Sequence, residues 1–159
     1  MITNMPDSPD PNLDDNIEKI EPMINFAAKR LSKAQNFLDF AKKAEVLDGG
    51  EENIYTTIYD AIRISCEAIL AIFGYRIKKS IQSHHYIVIN TASQLTDGKL
   101  TNEFARIQKM RNKRNKLEYG DLDSISEQEL IQAHLDANAL IKEIHKLIDK
   151  NNHKQGLFN

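Results

Sequence analysis

The chain contains one cysteine, Cys66, so no intrachain disulfide can form. Cys66 lies in an apolar stretch and is expected to serve as a small core residue. Breakers are scarce too. There are 6 glycines and 4 prolines, and three of the prolines precede residue 12. A body so poor in breakers favours helices. No stretch reaches the roughly 20 apolar residues that span a bilayer. Met1–Leu13 lacks both the basic start and the apolar run of a signal peptide. No membrane partner and a cytoplasmic location are therefore expected.

Other absences narrow the chemistry. The net charge is -2, so no global basic field draws nucleic acid. Gly49 and Gly50 are followed by Glu51 and Glu52, which would repel a phosphate, so they are no phosphate-cradling loop. No nucleophile elbow is present. His84 and His85 are adjacent, point in different directions and suit one metal poorly. No His-Glu-x-x-His pattern or cysteine pair supports zinc. Neither metal nor cofactor is expected. The histidine pair reads more naturally as a cap or surface feature, with a phosphate contact left open. There is no internal repeat.

What remains is ordinary for one globular domain: 159 residues, 41% hydrophobic and 28% charged. Residues 1–14 are acidic and proline-rich and are expected to form a disordered tail. A helical domain is expected over 15–151, followed by a flexible tail over 152–159.

Helix one is predicted from Pro22 to about Val46, with Phe26, Ala27, Leu31, Ala34, Leu38 and Ala41, and Phe37 beside them, as its apolar positions. Asp48, Gly49 and Gly50 break it. Helix two, from about Glu52 to Phe73, carries Ile54, Ile58, Ala61, Ile62, Ser65, Ile69 and Ile72 on one face. Tyr55, Tyr59, Cys66, Leu70 and Phe73 widen that face, the mark of a central helix with several neighbours. Gly74 stops it. Helix three is predicted from about Ser83 to Leu95. Tyr86–Ile89 has strand propensity, but no second strand is evident to pair with it. Helix four follows from about Lys99. Helix five opens on a capping box, either Ser124 with Glu127 or Ser126 with Glu129. Its stripe is Leu130, Ala133, Ala137, Leu140, Ile144 and Leu147. The fold class is all-α, an antiparallel bundle of about five helices.

The end of helix four carries the chemistry. Phe104, Ile107, Met110, Arg114 and Leu117 recur at helical spacing, so Arg114 stands where an apolar residue belongs. Residues 99–118 hold Lys99, Arg106, Lys109, Arg111, Lys113, Arg114 and Lys116 against Glu103 and Glu118. Such a patch can bind an anion despite the negative total. Arg111, Lys113 and Arg114 are the candidate phosphate contacts, because the guanidinium fork matches phosphate oxygens. Asn115 can orient a substrate, and Tyr119 can stack on a base or offer its hydroxyl. In the competing reading Arg114 pairs with an acid such as Asp60 or Glu67 and the cluster only pins the helix end.

From Pro22 to Lys150 the chain resembles the HEPN superfamily, helical domains similar to the C-terminal domain of kanamycin nucleotidyltransferase. The likeness rests on an Ala- and Leu-rich first helix, the Tyr59–Leu70 stretch ending near Gly74, and a histidine before helix three. Its most specific element is Arg114, Asn115, Lys116, Leu117, Glu118 and Tyr119. HEPN ribonucleases carry Arg, often Asn, and then His after four to six residues. Here Tyr119 takes the histidine position, as in an Arg-Asn-x-x-x-Tyr variant, and Arg111 fits that variant. The resemblance implies a homodimer that binds RNA or a nucleotide, with metal-independent cleavage across the dimer. Arg114, Asn115 and Tyr119 would be its catalytic residues. It also implies a toxin or defence role beside a nucleotidyltransferase-type antitoxin. Tyrosine, with an ordinary pKa of about 10, is a poor base at pH 7. A non-catalytic interaction or dimerisation module is the alternative.

Overall fold

The computed structural model describes residues 15–48, 50–78, 84–118, 120 and 124–156. The expected disordered tail over 1–14 lies outside them, as do Tyr119 and residues 157–159. Five helices form an all-α bundle: α1 (Ile24–Val46), α2 (Glu51–Phe73), α3 (His84–Leu95), α4 (Thr101–Glu118) and α5 (Glu127–Gly156). Two strands, β1 (Ile17–Lys19) and β2 (Tyr75–Ile77), pair antiparallel with Ile17 opposite Ile77.

Helix α2 is the centre and packs against each of the other four helices. Its predicted face is buried in full, and Tyr55, Tyr59, Cys66 and Leu70 are buried as well. A fully buried isoleucine stabilises by roughly 1.5–3 kcal/mol, and Ile58, Ile62, Ile64 and Ile69 are at most 1% exposed. Ala27, Ala34 and Ala41 on α1 are fully buried and alternate with Leu31 and Leu38, a small-residue seam that lets α1 lie close to α2, whereas Phe26 is exposed and Phe37 only partly buried.

Gly74 ends α2 in the left-handed conformation, at φ +78°. A β-carbon there would come within 2.6 Å of the Ile20 carbonyl oxygen. That close approach lets Ile20 N–H donate to the Gly74 carbonyl and draws the N-terminal segment along β2. Helix α1 begins at Ile24, two residues beyond Pro22. The stretch Tyr86–Ile89 is helical, with Ile87, Val88 and Ile89 buried. At the far end, α5 runs through to Gly156, where a tail from residue 152 was expected.

Of the two capping boxes on offer, Ser126 with Glu129 forms. Glu129 N–H donates to Ser126 Oγ at 3.1 Å, and Ser126 N–H donates to Glu129 Oε2 at 2.8 Å. Burial pushes the Glu129 carboxyl up, but its bonds to Lys113 and Ser126 together hold it below the usual range.

The arrangement of α4 against α5 places the functional residues. Lys99 meets Glu143 at 3.3 Å, Arg106 meets Asp136 at 2.8 Å, and Lys113 meets Glu129. The bases are seven residues apart on one side, and the acids seven apart on the other, in reverse order. This is an antiparallel ladder of ion pairs. Its middle rung holds the most deeply buried acid, although Glu143 is buried as well. Asp136 is 2% exposed, takes a forked contact from Arg106 and also accepts from Gln132. Arg106→Ala should therefore destabilise by about 3 kcal/mol, since a buried carboxylate loses its cation. Lys99→Ala, at an ammonium largely in solvent, should cost less than about 1 kcal/mol. Urea unfolding of both variants measures the difference, and equal losses would contradict the ladder's ordering.

Candidate functional site

Three of the seven bases in the 99–118 patch, Lys99, Arg106 and Lys113, are taken by the ladder. Lys113 also donates to the Ser124 carbonyl, and it does not line the cleft that holds the other candidates. The structure thus separates Lys113 from Arg111 and Arg114. Those two turn away from α5 and line an open cleft of about 510 Å³ with Asn115 and Glu118. The first turn of α3 closes it with His84, His85 and Tyr86.

Arg114 continues the stripe of Phe104, Ile107 and Met110, all of them buried. Its side chain is 16% exposed. The guanidinium carbon lies 5.5 Å from the centre of the Tyr59 ring, which is fully buried beneath it. One guanidinium nitrogen meets Glu118 Oε1 at 3.1 Å, and the other is 3.9 Å from Asp60 Oδ1. Arg114 Nε is buried and has no hydrogen-bond partner among the described residues. Glu67, the other acid considered for Arg114, is bound instead by Arg63 at 2.6 Å and Arg30 at 3.4 Å.

The Glu118 contact is weakly held. The carboxylate is about half exposed and sits in the last turn of α4, at the negative end of the helix dipole. An arginine four residues before a glutamate is also the less favourable order for such a pair. Arg111 has no ion pair among the described residues; it binds Gln108 and Asn112 and lies 5.2 Å from the Tyr86 ring centre. Tyr86 is 47% exposed. Asn115 is half-buried and makes no hydrogen bond among the described residues.

His85, for which the sequence left a phosphate contact open behind a capping or surface role, is brought to the cleft by the first turn of α3. Its Nδ1 lies 3.4 Å from the Tyr59 hydroxyl. Burial first, then Arg63, Arg114 and His84, lower its pKa to about 4, against a smaller upward pull from Glu118. Burial likewise pushes the Tyr59 hydroxyl up to about 12, despite the nearby arginines. At neutral pH both groups are uncharged. The signal for His85 was slight: a histidine pair opening a helix, with nothing in the spacing to bring it to the end of α4.

Positive charge, a buried unpartnered donor and an exposed ring together suit a phosphate with a neighbouring base. Among the described residues no three potential metal ligands gather, and no helix is long and apolar enough to cross a membrane.

Two outcomes follow for stability. Arg114→Ala should lose about 1–2 kcal/mol in urea unfolding, because its pairs are partly in water, rather than the 3–5 kcal/mol of a fully buried pair. Acid is the second probe. The unfolded chain protonates His85 near pH 6.5 and the folded chain near 4. The stabilising share of the neutral ring is thus complete above 6.5 and is lost as pH falls towards 4. Between pH 7 and pH 5 the wild-type Tm should drop further than that of His85→Gln. Parallel curves would show that the ring is not held neutral.

No known family model, curated protein or solved structure matches the chain, so its function has to be read from the cleft itself.

Proposed function

We propose that this protein binds RNA, or a nucleotide, by gripping a phosphate at Arg114 in the cleft between α3 and α4. The observation that carries the reading is the Arg114 Nε–H, buried beside the cleft without an acceptor among the described residues. An incoming phosphate oxygen would satisfy it, displace the loosely held Glu118 and gain a second cation from Arg111. Tyr86 offers an exposed ring in the lining of the same cleft, on which a base could stack.

The HEPN assignment and the homodimer belong to the same proposal. So does a toxin or defence role with a nucleotidyltransferase-type partner. Their support is the Arg114–Tyr119 motif and the five-helix order. Metal-independent RNA cleavage would need a proton acceptor, and the reading here is binding without efficient cleavage. The alternative, an interaction module in which Arg114 only pins α4, draws on its contacts with Asp60 and Glu118.

Binding of a short mixed-sequence single-stranded RNA, measured by fluorescence anisotropy at fixed salt, separates the two. Arg114→Ala should weaken binding at least tenfold while the protein stays folded. Lys113→Ala, on the ladder, should change it less than about threefold. Glu118→Gln should tighten it severalfold by freeing the arginine fork. Equal effects of Arg114→Ala and Lys113→Ala would reduce the site to a general basic surface. No RNA binding by the wild type would favour the interaction module.

A further inference from the structure

We propose that His85 is a neutral, single-tautomer hydrogen-bond donor that directs its Nε2–H at a phosphate oxygen of the ligand in the α3–α4 cleft. The inference rests on the phosphate reading above and adds the group that orients the phosphate once the arginines attract it.

Tyr59 anchors the imidazole. Its ring is fully buried, and its hydroxyl has one hydrogen-bond partner among the described residues, His85 Nδ1. A buried hydroxyl carries a single hydrogen and has to place it on an acceptor. With Nδ1 accepting, a neutral imidazole carries its own hydrogen on Nε2. That nitrogen has no partner among the described residues, and His85 lines the cleft beside Arg111 and Arg114.

The surroundings disfavour a second proton on the ring. Helix α2 presents Tyr59, Asp60 and Arg63, α3 presents His84, and α4 presents Arg111, Arg114 and Glu118. Burial, then the arginines and His84, outweigh Glu118, so the ring stays uncharged at neutral pH.

This assigns different tasks to neighbouring side chains. Arg114 and Arg111 supply charge, which is strong but weakly directional beyond the fork. The tyrosine-anchored imidazole supplies one hydrogen in a fixed direction. It also has no lone pair turned to the cleft. It cannot take the proton of a ribose 2′-hydroxyl, so it contributes to binding and not to cleavage.

Nitrogen-15 NMR of the full chain at pH 7 reports which ring nitrogen carries the hydrogen. The expected result is a hydrogen on Nε2 and none on Nδ1, with Nε2–H shifting when the short single-stranded RNA is added. Tyr59→Phe should mix the two tautomers. In the anisotropy assay His85→Ala should weaken RNA binding about tenfold. His85→Gln, whose amide N–H reaches a similar place, should restore most of it. A hydrogen on Nδ1, or a doubly protonated ring at pH 7, overturns the inference. So does His85→Ala binding as tightly as wild type while Arg114→Ala does not, an outcome that leaves the phosphate site standing. If neither variant weakens binding, both readings fall. Chelator-resistant cleavage that His85→Ala abolishes would make His85 a base, and would overturn its assignment as a donor.

Discussion

The ladder of ion pairs between α4 and α5 decides which way α4 faces. Lys99, Arg106 and Lys113 are seven residues apart, and so are Glu143, Asp136 and Glu129 on α5. Seven residues are close to two helical turns, so Arg106 and Lys113 line up along α4, with Lys99 in the turn before it, and the three acids line up along α5. The middle rung is the least able to slip, because Asp136 is buried and holds Arg106 by a forked contact. Rotating α4 would leave that carboxylate without its cation. With one side fixed on α5, Phe104, Ile107 and Met110 enter the core, and Arg111 and Arg114 face α3.

That orientation turns a diffuse basic segment into two unlike surfaces. One is neutralised by acids of α5. The other leaves two arginines around a small cleft, one with a buried donor unused and the other with no acidic partner among the described residues. Tyr59 lies under both functional groups. It receives the Arg114 guanidinium on its ring and His85 on its hydroxyl. A residue whose pattern marks it as core is thus also the support of the site.

Much of the fold was legible in the sequence because it depends on local periodicity. The buried stripes of α1, α2 and α5, the stop at Gly74 and the Ser126 capping box follow from spacing and from single residues with restricted roles. The β1–β2 pair was not legible. Three residues on each strand carry no period, and the pairing depends on how close the chain at Ile20 comes to Gly74. The site was legible in part. Arg114 stood out because a charge broke an apolar stripe, and Asp60 was a reasonable partner. Lys113 looked like its companion in sequence, yet one residue is about 100° of helix, and the two point to different neighbours. His85 came from another helix, and no periodicity along one chain segment reports such a meeting.

On the function proposed above, Arg114 is held in reserve for a phosphate. A crystal structure of the protein with a short single-stranded oligoribonucleotide tests it most directly. The account predicts a phosphate oxygen within hydrogen-bond distance of Arg114 Nε, with Glu118 turned away from the guanidinium and Asp136 still closed on Arg106. An RNA seated elsewhere, with the Arg114–Glu118 contact intact, would contradict it.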